Sequence, residues 1–151
     1  MGKFKFILIS IAFGFCFCTF AFSNDLIKGR WQPDCGNSDP FINIQTAKSV
    51  NIEVNTNLLY ISAEIKKKQT GEFEILLNDV IENTIADINW KHINKSKPIA
   101  VLDISGESAN MEWLGFYDKT KSHYTWEKDS EFSEFSNKHG MITLHRCVLS
   151  D

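Results

Sequence analysis

The chain has 151 residues, 43% of them hydrophobic, and a formal net charge of −3. That length suits one domain with a single core. The acidic balance argues against nucleic acid, whose phosphates reward Lys and Arg.

The first element is a leader. Met1-Gly-Lys3-Phe-Lys5 is a short basic start, followed by an uncharged run from Phe6 to Phe22 that closes on Ala21-Phe22-Ser23. A basic start, an apolar run and a small-x-small end mark a cleavable secretory signal. Residues 1–23 therefore read as signal peptide and 24–151 as a single exported domain, with no membrane span after cleavage. The rival is a membrane anchor, for which an apolar run of about 17 residues is at the short limit. A lipid-attachment site would want a small residue before Cys16 or Cys18, and both follow Phe. Phe6, where a Ser or Thr is needed, removes a myristoylation signal at Gly2. The leader takes Lys3 and Lys5 with it and leaves 14 basic against 19 acidic side chains, which suits a basic partner. Fourteen Lys against two Arg, with many Asn and Ile, point to an AT-rich bacterial genome. The expected location is then periplasmic or secreted, where the sequon Asn94-Lys95-Ser96 carries no meaning.

Cys16 and Cys18 also leave with the leader, so Cys35 and Cys147 remain. A pair in an exported chain reads first as a disulfide. Free thiols, or a metal site of two Cys with His, are the alternatives. A bridge between them makes neighbours of the first and last segments, within the short Cα separation a disulfide allows.

The mature chain then reads as strand after strand. Leu26–Gln32 is short and aromatic, and residues 33–40 are turn chemistry from Pro33 to Pro40. Phe41–Thr46 alternates through Ile42 and Ile44, followed by Val50, Ile52 and Val54. After Asn55-Thr56-Asn57 the alternation resumes at Leu59, Ile61, Ala63 and Ile65, and again at Phe73, Ile75 and Leu77. Residues 79–97 are ambiguous, with a strand at Thr84–Trp90 and a helical turn near Trp90–Ile93 as the expectation. Pro98–Ser105 is a strand, and Ser105-Gly106-Glu107-Ser108 a turn. Asn110–Tyr117 reads as one strand with aromatics on both faces, followed by Ser122–Glu127, a polar loop and Met141–Val148. Eight to ten short strands without a long helix predict an all-β fold, a small antiparallel barrel of about eight strands or a sandwich. The Cys35–Cys147 bridge favours the barrel, because closure brings the first and last strands side by side.

Two resemblances follow from particular residues. Gly29-Arg-Trp31 resembles the G-x-W motif that opens lipocalins and related calycin barrels, and Arg146 stands in the last strand. In that family the Trp seals one end of the barrel and a last-strand Arg lies across it, so the resemblance implies this contact between Arg146 and Trp31. The second lipocalin motif, T-D-Y, is absent. The ending Ile142-Thr-Leu-His-Arg-Cys147 is similar to that of the periplasmic C-type lysozyme inhibitors, short exported barrels with a disulfide to the last strand. Their Ser-Gly-containing loop enters the enzyme cleft, and the resemblance implies that role for Ser105, Gly106, Glu107 and Ser108. The Tyr expected soon after the loop is missing here.

Catalytic patterns fail. His92, His123, His139 and His145 form no H-x-x-H or H-E-x-x-H pair, although His139 and His145 flank a hairpin that could reach His123. There is no G-x-S-x-G, P-loop or G-x-G-x-x-G. Glu107, Glu112, Asp103 and Asp118 cluster in sequence, and Asp103 lies in a strand opposite Ala100, Leu102 and Ile104, on its wet face. No cofactor, no metal and no enzymatic activity are expected. The acidic stretch with Asp129, Glu131, Phe132, Glu134 and Phe135 suits recognition of a basic protein surface, the Phe rings acting as anchors. The alternative is a solvated loop whose Phe side chains fold back onto the barrel. Two functions are compatible with these features: an exported protein-binding module of inhibitor or immunity type that blocks a protein such as a cell-wall hydrolase, or a calycin-like carrier of a small apolar ligand. The first needs a filled barrel and a presented loop, the second a hollow interior.

Overall fold

Apolar residues at every second position give each strand one oily face, and eight such strands can hide those faces by closing on themselves. The computed structural model describes residues 26–37, 40–85 and 87–148; the leader reading at 1–23 lies outside them. Ten strands follow in order: β1 (Gly29–Gln32), β2 (Phe41–Thr46), β3 (Ser49–Asn55), β4 (Leu59–Lys67), β5 (Phe73–Asn83), β6 (Pro98–Ser105), β7 (Ser108–Trp113), β8 (Phe116–Asp118), β9 (His123–Thr125) and β10 (Met141–Cys147). Eight of them form a closed antiparallel barrel in the order β1-β10-β7-β6-β5-β4-β3-β2. The all-β barrel expectation holds, and the barrel rather than the sandwich is the architecture. Strands β8 and β9 make a separate hairpin between β7 and β10.

Register lines up the inward rows. Trp31 is opposite Ile42, Ile42 opposite Ile52, and Ile52 opposite Ile61; on the far wall Leu102 is opposite Met111, and Met111 opposite Ile142. Trp31, Ile42, Val50, Ile52, Val54, Leu59, Ile61, Ala63, Ile75, Ala100, Leu102, Met111 and Leu144 have no surface that a water-sized sphere can reach. Each large side chain among them contributes about 1.5–3 kcal/mol by burial. Register shifts between Glu53 and Asn55, Tyr60 and Ile61, Ser62 and Ala63, and Ile75 and Leu76 add the local twist that closing a narrow barrel demands.

The seam between β1 and β10 pairs Arg30 with Cys147 and Trp31 with Arg146. Trp31 and Arg146 therefore face inward, and Arg30 and Cys147 outward. Residues 33–37 fold back toward the outside of this seam, with Gln32 Nε2 donating to the Asn37 carbonyl at 3.0 Å. The expected Cys35–Cys147 disulfide is formed, with a Cα separation of 5.4 Å.

Two expectations along the chain are corrected and one is met. Among the described residues no strand is formed at Thr84–Trp90; instead β5 runs on to Asn83, pairing with Leu59–Ser62 of β4. Asn78, Asp79, Glu82 and Asn83 are polar on both faces, so this extension shows no alternation. The expected helical turn is present, as a 3₁₀ turn at Trp90–His92. The single strand at Asn110–Tyr117 is two, broken at Gly115, whose φ of +81° lies in the left-handed region. Its aromatics face two ways because Trp113 belongs to the barrel and Phe116 to the hairpin.

Candidate functional site

Connections alternate between the two ends of an up-and-down barrel. The chain entry into β1 and the β2–β3, β4–β5 and β6–β7 turns share one end. The β3–β4, β5–β6 and β7–β10 connections share the other. The residues singled out in the sequence fall on both ends, so the structure does not bring Ser105–Ser108 together with the segment from Asp129 to Phe135.

At the first end Arg146 is the organising group. Its guanidinium carbon lies 5.0 Å from the Trp31 ring centroid, a favourable cation–π placement. Nη2 donates to the Leu26 carbonyl at 2.7 Å and to the Gly106 carbonyl at 3.0 Å. The backbone N–H donates to the Glu107 carbonyl at 2.9 Å. Nε is 3.3 Å from Glu107 Oε2, an exposed ion pair of small energetic weight. Trp31 Nε1 in turn donates to the Ile27 carbonyl at 2.9 Å. One side chain thus fastens the entering segment, the plug residue and the β6–β7 turn. Gly106, at φ +63° in the first central position of this two-residue turn, gives the hairpin the twist its strands require. Ser105, Gly106, Glu107 and Ser108 are all exposed.

Between that turn, the β4–β5 turn and the chain entry lies an open groove of about 380 Å³. Leu26, Ile27, Phe73 and Ile104 supply its apolar surface, and Lys67, Glu107 and Arg146 its polar edge. Replacing Arg146 with Lys keeps the charge but removes the second hydrogen-bonding arm and the planar face over Trp31. We expect a loss of about 1–3 kcal/mol, measured as a lower urea midpoint.

At the opposite end the acidic segment is a plug. Glu131 sits in a 3₁₀ turn, Glu131–Phe135, and accepts from Thr56 N at 3.0 Å and Thr56 Oγ1 at 2.8 Å. Asn55 Nδ2 donates to the Asp129 carbonyl at 3.1 Å. Phe132 is fully buried and stacks on Trp113 at 5.5 Å. It is therefore no exposed anchor: it folds back onto the barrel, where the Trp113 ring receives it. Glu134 is exposed, and Phe135 stays 40% exposed.

Beside the plug is a feature that sequence reading missed, an open polar cleft of about 390 Å³ between the β5–β6 connection and the β8–β9 hairpin. Asp118 is buried on its wall. Its Oδ1 accepts from Thr120 Oγ1 at 2.6 Å, Thr120 N at 2.8 Å and Lys121 N at 3.3 Å; Lys121 Nζ is 3.8 Å from Oδ2. The Thr120 hydroxyl is the main cause holding the carboxyl below its ordinary value near 3.8. A depressed carboxylate stabilises the fold above that ordinary value, and the contribution is lost as pH falls through the folded-state value. Thr120→Val should raise the Asp118 pKa toward the ordinary value and move acid unfolding to higher pH, read by carboxyl-carbon NMR titration.

His92 and His123 both line this cleft. His145 lies opposite Ser108 at the other end, so it does not join His123, and among the described residues no His, Cys, Asp and Glu group is placed to hold a metal. Asp103 is exposed on the barrel's outer face, as expected. Against known protein families, curated proteins and solved structures, the chain matches none.

Proposed function

We propose that this protein is an exported binding module of the inhibitor or immunity type, which grips another protein through the groove and turn at the Trp31–Arg146 end. The observation that carries the reading is the filled barrel. One mid-strand inward side chain from each of the eight strands, Trp31, Ile42, Ile52, Ile61, Ile75, Leu102, Met111 and Leu144, has no water-accessible surface, so the middle of the barrel holds no lumen of the about 300 Å³ or more that a carrier needs. What remains for recognition is the outer surface.

The groove is open, so a small apolar molecule lying in it would keep much of its surface in water. A protein partner supplies its own surface to complete the enclosure, with one apolar side chain as the central anchor and a polar rim around it. Arg146 fixes the turn and the groove wall before any partner arrives, which lowers the ordering cost of association. The chain's acidic balance would steer a basic partner, such as a cell-wall hydrolase, toward it. The Cys35–Cys147 bridge is compatible with the exported location.

The test is affinity capture with the oxidised, exported protein against periplasmic and secreted proteins and a panel of lysozymes, run in parallel with Ile104→Asp and Phe135→Asp. A stoichiometric partner should bind the wild type, lose at least about tenfold in affinity to Ile104→Asp, and be indifferent to Phe135→Asp. A co-purifying small molecule without protein, or a partner sensitive only to Phe135→Asp, would overturn the proposal.

A further inference from the structure

The cleft at the plugged end is built differently from the groove. Two of its wall residues are aromatic, Trp126 with its backbone held in place and Tyr124 with its ring held. Trp126 has φ +65°, a backbone conformation that a bulky residue adopts only when its surroundings impose it. Here they do: Trp113 Nε1 donates to the Trp126 carbonyl at 3.0 Å, and the chain at 125–127 lies directly over Gly115. Tyr124 donates its hydroxyl to the Pro98 carbonyl at 3.0 Å and meets Tyr117 edge-on at 5.2 Å, on the hairpin face opposite Asp118 and His123, so Trp126 is the ring left for a ligand. Both residues are half-buried, and around them the wall has polar Asp87, Asn89, His123 and Asp129 with apolar Ile88 and Ile93 at its base.

We propose that this cleft binds a saccharide. The C–H face of a pyranose is apolar and packs on a fixed aromatic ring, while its hydroxyls each need a donor or an acceptor at the edge. The cleft offers both: carboxylates that accept, and amide and imidazole groups that also donate. An organic cation needs acceptors only, and the most buried carboxylate, Asp118, already has three donors on Oδ1 and an ammonium beside Oδ2. The backbone that carries Trp126 is fixed before binding, which lowers the ordering cost of association. This site lies at the end of the barrel opposite the groove and does not depend on it.

Titration of the oxidised, exported protein with chitotriose, cellotriose and maltotriose, followed by tryptophan fluorescence and by amide ¹H–¹⁵N shifts, tests the assignment. At least one should saturate, with shifts confined to residues 87–89 and 118–129. Trp126→Ala should weaken it by about tenfold or more, and Asp129→Asn, which keeps shape and fold, by a smaller factor. Phe135→Ala should leave it unchanged. No saturation by any of the three at about 10 mM, binding that Trp126→Ala and Asp129→Asn both leave intact, or saturation by arginine ethyl ester in place of the sugars would overturn the proposal.

Discussion

Gly115→Ala should unseat the plugged end of the barrel. A methyl group at this position would meet the Thr125 carbonyl oxygen well inside contact distance, with the Glu127 nitrogen at 2.8 Å and the Trp126 carbonyl carbon at 2.9 Å. All three are backbone atoms, so no side chain can swing away. The φ of +81° adds left-handed strain for any L side chain, on the order of 1–2 kcal/mol. The crossing strand must move, which breaks the Trp113–Trp126 hydrogen bond and loosens the Trp113, Phe116 and Phe132 cluster. The expected cost is about 3–5 kcal/mol, at the severe end for a single substitution, seen as a fall in Tm of roughly 10 °C or more. Gly140→Ala is the matched control. Its φ is +77° but nothing lies within 4 Å of the added carbon, so it should cost only about 1–2 kcal/mol. Equal effects at the two glycines would show that conformational strain, not the crossing, governs Gly115.

Replacing both Cys35 and Cys147 with Ser should cost a comparable amount for a different reason. The bridge spans 112 residues of sequence, and a loop of that size is worth about 4.7 kcal/mol by chain entropy, with about 2–5 kcal/mol found for native bridges. It also staples the seam at its weakest point, since β1 contributes only four residues. The expected result is a lower denaturant midpoint together with a steeper slope, because the unfolded chain without its cross-link exposes more surface. Wild-type protein kept reduced should behave like the double-Ser variant. An unchanged midpoint would show that β1–β10 pairing alone holds the seam.

Local pattern decided most of the fold. Ile42 and Ile44, Val50 to Val54, and Leu59 to Ile65 alternate cleanly because each has one neighbouring core face, and the two cysteines placed the first and last strands together. Two features escaped for physical reasons. The outer half of β5 is wet on both faces, so its strand signal vanished while that of a false strand at 84–90 survived. The break at Gly115 depends on a chain crossing that spacing does not reveal. Phe132 among acids fits a surface anchor or a side chain folded back onto the barrel, and its stacking on Trp113 decides for the second.

The candidate sites were half legible. Gly106 and Glu107 stood out as a turn, and Trp31 with Arg146 as a contact. The groove beside them was not foreseen, since Leu26, Phe73 and Ile104 come from three distant segments. The cleft has the same origin: Asn89, Asp118, Trp126 and Asp129 meet only after the β5–β6 and β7–β10 connections fold together. The one outward sign of it in the sequence was the density of aromatic and acidic residues from Tyr117 to Phe135.

Hydrogen exchange on the captured complex locates the surface that grips the partner. If the protein works as a filled barrel that grips its partner at the Trp31–Arg146 end, binding should add protection at residues 26–31, 66–73 and 104–108 and leave the β3–β4 turn unchanged. Protection confined to 84–97 and 116–136, or protection of inward-facing strand residues without any at the groove, would contradict it.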